Sequence, residues 1–372
     1  MSIIIGADIV PTESNRALFA AENTEQLIGS ELSEILKSAD YRIFNLEVPL
    51  ADQERPIAKN GPNLIAPTNC VNGLKAMGID LLTLANNHIM DQGTEGLKST
   101  AKTLDHEGIS HVGTADHLPE AADPFFFNVK GKRYGVYACA EHEFSIAGEN
   151  TPGANPFEPL ESPDHVAQMK AQCDYAIVLY HGGKEYYRYP SPNLQKTCRK
   201  LVEKGADLVI CQHSHCVGCE EKYLGGTIVY GQGNFLFDHG DNEYWNTSLL
   251  VQIADDGQIS YVPLIKQKNC VRLAAESDAQ TVLQEFNQRS KDIQQPGFVH
   301  EKYAEFAQEH LGGYIVYFLG LESNFFYKVL NKLSGQRLRK TIVKRAIKKQ
   351  GLGMRNYIEC EAHRELLLKG LK

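Results

Sequence analysis

The 372-residue sequence has no long hydrophobic run, no internal repeat and no low-complexity tract. Its longest apolar stretch near the C-terminus, residues 312–321, is far shorter than the roughly 20 residues that a membrane-spanning helix needs. The opening residues, MSIIIGADIV, lack the basic segment and the extended apolar segment of a signal peptide. We therefore expect neither a transmembrane helix nor a secretion signal.

Cysteine and positive charge are not organised as they are in disulfide-rich or nucleic-acid-binding proteins. The nine cysteines are odd in number and scattered, which indicates free thiols in a cytoplasmic protein. The formal net charge of −8 disfavours nucleic-acid binding over the whole surface. A hydrophobic content of 42% is ordinary for a globular protein, and the length suits one α/β domain of about 250 residues with an appendage.

Strand-like and helix-like segments alternate through most of the chain, a pattern typical of an α/β protein. Short apolar runs predict strands at residues 3–5, 41–44, 79–84, 109–112, 175–180, 206–211 and 227–230. Helical spacing of apolar residues predicts helices at 27–36, 94–108 and 194–202. Two further stretches, 125–139 and 248–265, have the central turn of β-hairpins. We therefore predict mixed sheets in which hairpins join parallel strands.

The pattern changes near residue 275, after which helical segments rich in Gln, Glu and Lys predominate. We place a domain boundary at 270–275, between a domain over 2–270 and a helical, basic extension over 275–372. Within the extension, residues 328–349 contain nine Lys or Arg and no Asp or Glu. Three interpretations stay open: a solvated helix face, a helix docked on the acidic body of the chain, and a helix lying peripherally on an anionic inner membrane surface.

Polar side chains occur at the ends of the predicted strands, where they are costly to bury without partners. They are Asp8, Glu47, Asn87, His88, His181, His213, His215 and Asn234. Because the carboxyl ends of strands in an open α/β sheet border one crevice, these side chains should converge. Carboxylates, amides and imidazoles without thiolates suit Mn²⁺, Fe²⁺ or Zn²⁺. Each of these residues alone also fits an ordinary polar turn. The prediction of a metal site therefore depends on their recurrence at the ends of successive strands.

The motifs in chain order resemble those of the CapA family of poly-γ-glutamate capsule synthesis proteins, a branch of the metallophosphoesterase (calcineurin-like) superfamily. The matching motifs are Gly6-x-Asp8, Asn45-Leu46-Glu47, Leu84-Ala85-Asn86-Asn87-His88 with Asp91 and Gly93, His181-x-Gly183 with Glu185-Tyr186, Gly205-Ala206-Asp207, His213-x-His215 and Gly233-Asn234-Phe235. The resemblance covers roughly residues 2–240. It implies an αββα sandwich of two mixed sheets, with a metal centre on loops at one edge.

The resemblance also implies a ligand role for six residues. Asp8 would bind a first metal ion together with His215, and Glu47 would bridge to a second ion. The residues that would complete the shell of the second ion are Asn87, His181 and His213. One or two divalent ions of Mn, Fe or Zn would then be the cofactors.

Two further residues receive catalytic roles from the same resemblance. His88 would donate a proton to the leaving oxygen of a phosphoester, and Asp91 would orient its imidazole. The implied function is metal-dependent hydrolysis of phosphoester bonds, linked to capsule or surface-polymer synthesis. The substrate would be a phosphorylated small molecule or polymer intermediate.

Two features leave other interpretations open. Phosphoesterases of this fold commonly carry a histidine two residues after the first aspartate, and that position here is Val10. The missing ligand favours a non-catalytic subunit of a polymer-synthesis assembly with a structural or vestigial metal site, whereas His88 favours catalysis. A separate alternative is a zinc knuckle on Cys216 and Cys219, whose spacing suits zinc although the chain has no second Cys-x-x-Cys pair.

Overall fold

The computed structural model describes residues 2–238 and 242–371 as a mixed α/β structure. Its strands are β1 (Ser2–Val10), β2 (Tyr41–Leu46), β3 (Leu81–Thr83), β4 (Ser110–Val112), β5 (Thr114–Ala115), β6 (Phe125–Val129), β7 (Lys132–Ala140), β8 (Gly153–Ala154), β9 (Tyr175–His181), β10 (Leu208–Gln212), β11 (Glu220–Tyr223), β12 (Gly226–Tyr230), β13 (Asn234–Phe237), β14 (Thr247–Ala254), β15 (Ile259–Gln267) and β16 (Cys270–Leu273). Its α-helices are α1 (Arg16–Ala20), α2 (Thr24–Leu27), α3 (Gly29–Ser38), α4 (Val71–Ala76), α5 (Gly93–Glu107), α6 (Leu118–Ala121), α7 (Ser162–Lys170), α8 (Pro192–Glu203), α9 (Glu276–Asp292), α10 (Phe298–Phe318), α11 (Phe325–Leu333), α12 (Arg337–Glu359) and α13 (Glu361–Gly370).

Two large mixed sheets form the first part of the chain. The first sheet has the strand order β16–β15–β14–β1–β2–β3–β4, and β13 pairs in parallel with the second half of β1. The second sheet has the order β11–β12–β10–β9–β7–β6, in which the four central strands are parallel and each edge strand is antiparallel to its neighbour. The predicted hairpins are β6–β7 and β14–β15. Strand β7 pairs in parallel with β9 and strand β14 pairs antiparallel with β1, so each hairpin is attached to a sheet that also contains parallel strands, as expected.

Residue alternation shows that the two faces of the second sheet have different neighbours. Along β9, Ile177 and Leu179 belong to the core shared with the first sheet, whereas Val178 and Tyr180 belong to a cluster with helices α7 and α8. Three consecutive isoleucines at the start of β1 are at most 1% exposed, so both faces of the first sheet are covered too. Helices α3 and α5 pack against that sheet. The predicted αββα sandwich of two mixed sheets is therefore confirmed.

The chain divides into two compact units, Met1–Val299 and His300–Lys372. Helix α9 begins where the sequence pattern turns helical, yet it belongs to the first unit because it packs on β11 and β15 and buries Val282 and Phe286. The second unit contains most of α10 and all of α11 to α13. Within residues 2–238 and 242–371, no helix has the length and apolar content needed to cross a bilayer.

The first strand is longer than its sequence pattern indicates. The pattern predicts a strand that ends at residue 5 with Asp8 beyond it, but β1 continues to Val10. Its pairing with β2 shifts register between Ile5 and Asp8, which marks a bulge, and then resumes. The strand continues because its second half also pairs with β13, which begins at Asn234 and which the pattern does not indicate. Asp8 therefore lies inside a strand rather than on a following loop.

Gly6 precedes Asp8 in β1 and leaves room for the ring of Phe44. A Cβ atom built on Gly6 would lie 1.9 Å from Cε1 of that ring. We expect Gly6→Ala to lower the free energy of unfolding by about 1–3 kcal/mol in a urea titration, because overpacking forces the ring and the strand apart. Adding Phe44→Leu should restore part of the loss. A Gly6→Ala variant as stable as the wild type would contradict this packing.

Candidate metal centre

The predicted ligand residues lie where the two sheets meet. Asp8 is in β1, Glu47 directly follows β2 and Asn87 follows β3, so the first sheet positions three of them. The second sheet positions the other three, at the end of β9 and just beyond β10: His181, His213 and His215. All six residues are buried, with at most 8% of each exposed. The structure brings the six side chains together, and their role as metal ligands stays a prediction.

Nε2 of His181 has three polar neighbours at nearly equal distances. It lies 3.1 Å from Oδ1 of Asn87, 3.1 Å from Nδ1 of His213 and 3.2 Å from Oε1 of Glu47. One ring N–H group cannot serve three such neighbours at once. Donor atoms with bonds of about 2.0–2.2 Å to one ion lie roughly 3 Å from each other, so the spacing is that of a coordination shell.

Both buried carboxylates have oxygen atoms without a hydrogen bond of normal geometry. Among the residues that the structure describes, none donates such a bond to Oε1 or Oε2 of Glu47, and Oδ2 of Asp8 has a 3.7 Å contact with Nδ1 of His215. A buried carboxylate left unsatisfied costs free energy that a bound cation recovers. Glu47, His213 and His215 also offer ligand atoms that all lie within 4.8 Å of one another. The residues present therefore fit a divalent cation.

Amide side chains orient the candidate ligands. Nδ2 of Asn45 donates to Oδ1 of Asp8 at 2.7 Å, and Asn86 fixes Asn45 by donating from its own Nδ2 to Oδ1 at 3.2 Å. Oδ1 of Asn234 accepts from Nδ1 of His215 at 2.9 Å. Because an amide oxygen can only accept, Nδ1 of His215 carries the proton, and its Nε2 keeps the lone pair that a metal ion requires.

The two histidines after β10 have left-handed backbone conformations. The φ angles of His213 and His215 are +80° and +53°. Such angles are uncommon for residues with a side chain and cost about 1–3 kcal/mol each, so the surrounding structure must impose them. After β10 ends at Gln212, these conformations bring both imidazoles into the same cluster. The His-x-His spacing in the sequence does not predict these left-handed backbone conformations.

The two carboxylates have pKa values shifted in opposite directions. Burial, reinforced by the charge of Glu47, raises the pKa of Asp8 to about 6. Burial would also raise the pKa of Glu47, but the imidazoles of His181 and His215 outweigh it and hold that pKa well below its ordinary value. Burial and the neighbouring imidazoles lower the pKa of His213 well below its ordinary value. The ring of His213 is therefore neutral at neutral pH, as a metal ligand must be.

His88 and Asp91 form a second buried group beside the cluster, together with Lys59. Nδ1 of His88 donates to Oδ2 of Asp91 at 2.6 Å, since a carboxylate only accepts. Nζ of Lys59 donates to Oδ1 of Asp91 at 2.5 Å, and the backbone N–H of Leu64 donates to Oδ2 at 2.6 Å. Asp91 is fully buried, and the side chain of His88 is 12% exposed. This arrangement leaves Nε2 of His88 as the ring atom that can exchange a proton.

Two residues of the site are absent from the sequence prediction. Lys59 comes from the irregular segment between β2 and α4, and Glu143 comes from the loop after β7. Oε2 of Glu143 accepts from Nδ2 of Asn87 at 3.5 Å, and its Oε1 lies 3.7 Å from Nε2 of His213. Lys59 lies far from a strand end, and Glu143 lies in a loop three residues beyond the end of β7, so the search for polar residues at strand ends did not identify either of them.

The residues that the structure describes give no support to the zinc-knuckle alternative. Cys219 belongs to the apolar cluster around α8, and burial raises the pKa of Cys216 to about 11. Among residues 2–238 and 242–371, the ligand atoms of one set of three His, Cys, Asp or Glu residues converge, and that set contains no cysteine.

The ion pair of Lys59 and Asp91 allows a stability prediction, because their side chains are 2% and 0% exposed. Asp91→Asn leaves a buried ammonium group without its anion and should cost about 3–5 kcal/mol. Lys59→Met removes the charge and should cost less, since His88 and Leu64 still donate to the carboxylate. The double variant should regain part of the loss. Urea unfolding in EDTA measures all three variants, and additive losses would contradict the pairing.

Comparison with known sequences shows which protein family contains this set of residues. The family model described as bacterial capsule synthesis protein PGA_cap matches residues 3–239. The capsule biosynthesis protein CapA of Bacillus anthracis is 29% identical over 245 residues, covering 63% of this chain and 60% of that protein. The PGA biosynthesis protein CapA of Bacillus subtilis is 30% identical over 213 residues, covering 55% of each. The chain thus matches 60% or less of the length of these curated relatives.

Solved structures give a weaker likeness. A phosphatase from Mycoplasma pneumoniae is 13% identical, with a TM-score of 0.45, over 72% of this chain and 94% of that one. A likeness at this level decides nothing about activity. The family model is the stronger finding because it spans well over half of the chain and includes every predicted ligand. The chain belongs to the bacterial capsule synthesis family PGA_cap.

Proposed function

We propose that the chain is a divalent-metal-dependent phosphoester hydrolase that acts on a phosphorylated small molecule or polymer intermediate of capsule or surface-polymer synthesis. The observation that carries the proposal is the set of donor atoms around Nε2 of His181, with the paired His88 and Asp91 beside it. A structural metal site needs the donor atoms alone. A hydrolase also needs a group that can exchange a proton, and Nε2 of His88 is such a group.

The donor set suits one or two ions of Mn, Fe or Zn, because it offers oxygen and imidazole nitrogen and no thiolate. The atoms around Nε2 of His181 would hold one ion, and Asp8 with His215 would hold another, with Glu47 shared between them. When bound, such ions would polarise a phosphoryl group and lower the pKa of a water molecule. The unsatisfied oxygens of Asp8 and Glu47 support this assignment.

The part of His88 in this reaction follows from its hydrogen bond. Asp91 holds Nδ1 in the protonated form, which leaves Nε2 as the ring atom that would take up and release a proton. From its doubly protonated form, His88 would give the Nε2 proton to the leaving oxygen while Nδ1 keeps the proton shared with Asp91, a contribution of about 10²–10⁴ in rate. Nζ of Lys59 donates to the other oxygen of the same carboxylate and so helps to hold Asp91 in place.

The link to capsule synthesis comes from the family and from the names of the relatives. The Bacillus proteins are named for biosynthesis of capsule and of PGA. This chain matches only part of the length of these relatives. We therefore infer a role in the same biosynthetic process and name no particular substrate.

A second candidate is a non-catalytic subunit of a polymer-synthesis assembly with a structural metal site. The buried side chain of Val10 favours it, because the position that commonly supplies a histidine ligand offers no donor atom. Asn234 lies in register with Asp8 on the neighbouring strand, and its Nδ2 has no hydrogen-bond partner within residues 2–238 and 242–371. Its Oδ1 already accepts from Nδ1 of His215, so Asn234 would orient that candidate ligand and would not replace the missing histidine.

Variants of two adjacent residues separate the two candidates. Asn87→Ala should lower the Mn²⁺ content of the purified protein, because it removes one donor from an already short ligand set. His88→Ala should keep nearly normal metal content and lose about 10²–10⁴ in turnover of phenyl phosphate, whose leaving oxygen needs a proton. Turnover of nitrophenyl phosphate should fall much less. Metal analysis and initial rates measure both effects.

Asn155→Ala is the matched control for loss of a buried amide. Asn155 is 2% exposed and donates to the backbone oxygen of Ala138 at 2.8 Å, so this variant should keep its metal even if it is less stable. Wild type that binds metal stoichiometrically and hydrolyses neither ester, together with a His88→Ala variant that keeps its cellular function, would rule out the hydrolase and leave the structural subunit.

A further inference from the structure

Helix α11 turns its apolar side toward solvent. At 100° per residue, Phe325, Val329 and Leu333 share one face, and Phe326 and Leu330 lie next to it. Phe325, Phe326 and Leu333 are 71%, 76% and 79% exposed. A surface helix of a globular domain has the opposite arrangement, with its apolar stripe facing the core. The exposed face is therefore available to a partner outside the unit His300–Lys372.

A polar residue on the opposite side fixes this orientation. Asn331 is 9% exposed, and its Nδ2 donates to Oε1 of Gln336 at 2.7 Å. Its Oδ1 accepts from the backbone N–H of Arg339 at 2.9 Å, and Oγ of Ser334 accepts from the backbone N–H of Leu338 at 3.1 Å. These bonds tie α11 to the first turn of α12. The helix cannot roll to bury its phenylalanines without breaking them.

Positive charge accompanies the apolar face. Lys328 and Lys332 border it on one side of α11. Four cations recur at helical spacing on the exposed side of α12: Arg337, Lys340, Lys344 and Lys348. No residue of α12 is buried, and residues 328–349 contain no acid. A partner that covers this surface must therefore supply negative charge as well as an apolar layer.

The rest of the same unit extends the apolar surface. Helices α10 and α12 border an apolar groove of about 940 Å³, whose lining includes Tyr314, Phe318, Ile347 and Ile358. Helix α13 adds Leu366, which is 74% exposed. So much exposed apolar surface on one small unit marks an interaction site.

We propose that the unit His300–Lys372 docks on an anionic membrane surface, with the apolar face of α11 inserted among the lipid headgroups. Anionic headgroups complement the cations of 328–349, and the layer beneath them accepts phenylalanine and leucine side chains. An apolar face bordered by cations is typical of helices that lie in the membrane interface. Docking through this unit would bring the candidate metal centre to substrates that are held at the membrane.

Co-sedimentation of the full chain with vesicles tests this docking. Vesicles that contain phosphatidylglycerol should bind the protein, and vesicles of phosphatidylcholine alone should not. Binding should weaken at least tenfold between about 0.1 M and about 1 M NaCl, which shortens the Debye length from about 10 Å to about 3 Å. Lys328→Gln with Lys332→Gln should weaken it about fivefold for each lysine lost. Phe325→Ser with Phe326→Ser should weaken it at least tenfold.

Matched controls come from the first unit. Leu160→Ser with Leu224→Ser removes two apolar side chains from residues that are 88% and 75% exposed, and Lys37→Gln with Lys200→Gln removes two exposed cations. Both control variants should bind vesicles as the wild type does. All substituted positions are solvent-exposed, so circular dichroism should show unchanged helix content.

Three outcomes would overturn the proposal. The first is equal binding to neutral and anionic vesicles. The second is self-association of the chain that Phe325→Ser with Phe326→Ser abolishes while no vesicle binds. The third is absence of vesicle binding together with chemical cross-links between residues 328–349 and acidic residues of Met1–Val299, which would show that the chain covers its own basic surface.

Discussion

Two carboxylates buried at the junction of two sheets are the constraint on which the rest of the site depends. Asp8 and Glu47 are fully buried, and neither has all of its oxygens hydrogen-bonded. Burying such charges without compensation would be prohibitive, so the fold surrounds them with imidazoles and amides. The bulge in β1 and the left-handed conformations of His213 and His215 each bring a group to these carboxylates. A bound cation would complete this compensation, and this is the physical basis for proposing a metal site here.

The sequence allows prediction of the parts of the site that follow from strand pattern. Glu47 and His213 come directly after apolar runs, and parallel strands place such residues at one edge, so their convergence could be expected. Lys59 and Glu143 could not be predicted in this way. Both lie in irregular segments whose path depends on tertiary contacts, and Lys59 reaches the site only because Asp91 and the backbone of Leu64 hold the segment around it.

The C-terminal unit shows a different limit of sequence pattern. The charge of residues 328–349 led to three interpretations, and helical spacing groups the apolar residues of α11 on one face. Periodicity alone cannot say which side of a helix faces its neighbours. That choice depends on Asn331, whose hydrogen bonds with Gln336 and Arg339 link residues on two different helices. The sequence does not show that an asparagine in an amphipathic helix links that helix to its neighbour. A polar residue of such a helix is expected to face solvent.

The most direct test of the account is a crystal structure of the protein grown with Mn²⁺ and measured on both sides of the manganese absorption edge. The account predicts an anomalous peak within about 2.0–2.3 Å of Oδ1 of Asn87, Nε2 of His181, Nδ1 of His213 and a carboxylate oxygen of Glu47. It also predicts that these side chains move little from the positions described here, because β2, β9 and β10 already hold them at the spacing of a coordination shell. A fully ordered cluster without an anomalous peak at excess Mn²⁺, Fe²⁺ or Zn²⁺ would contradict the account.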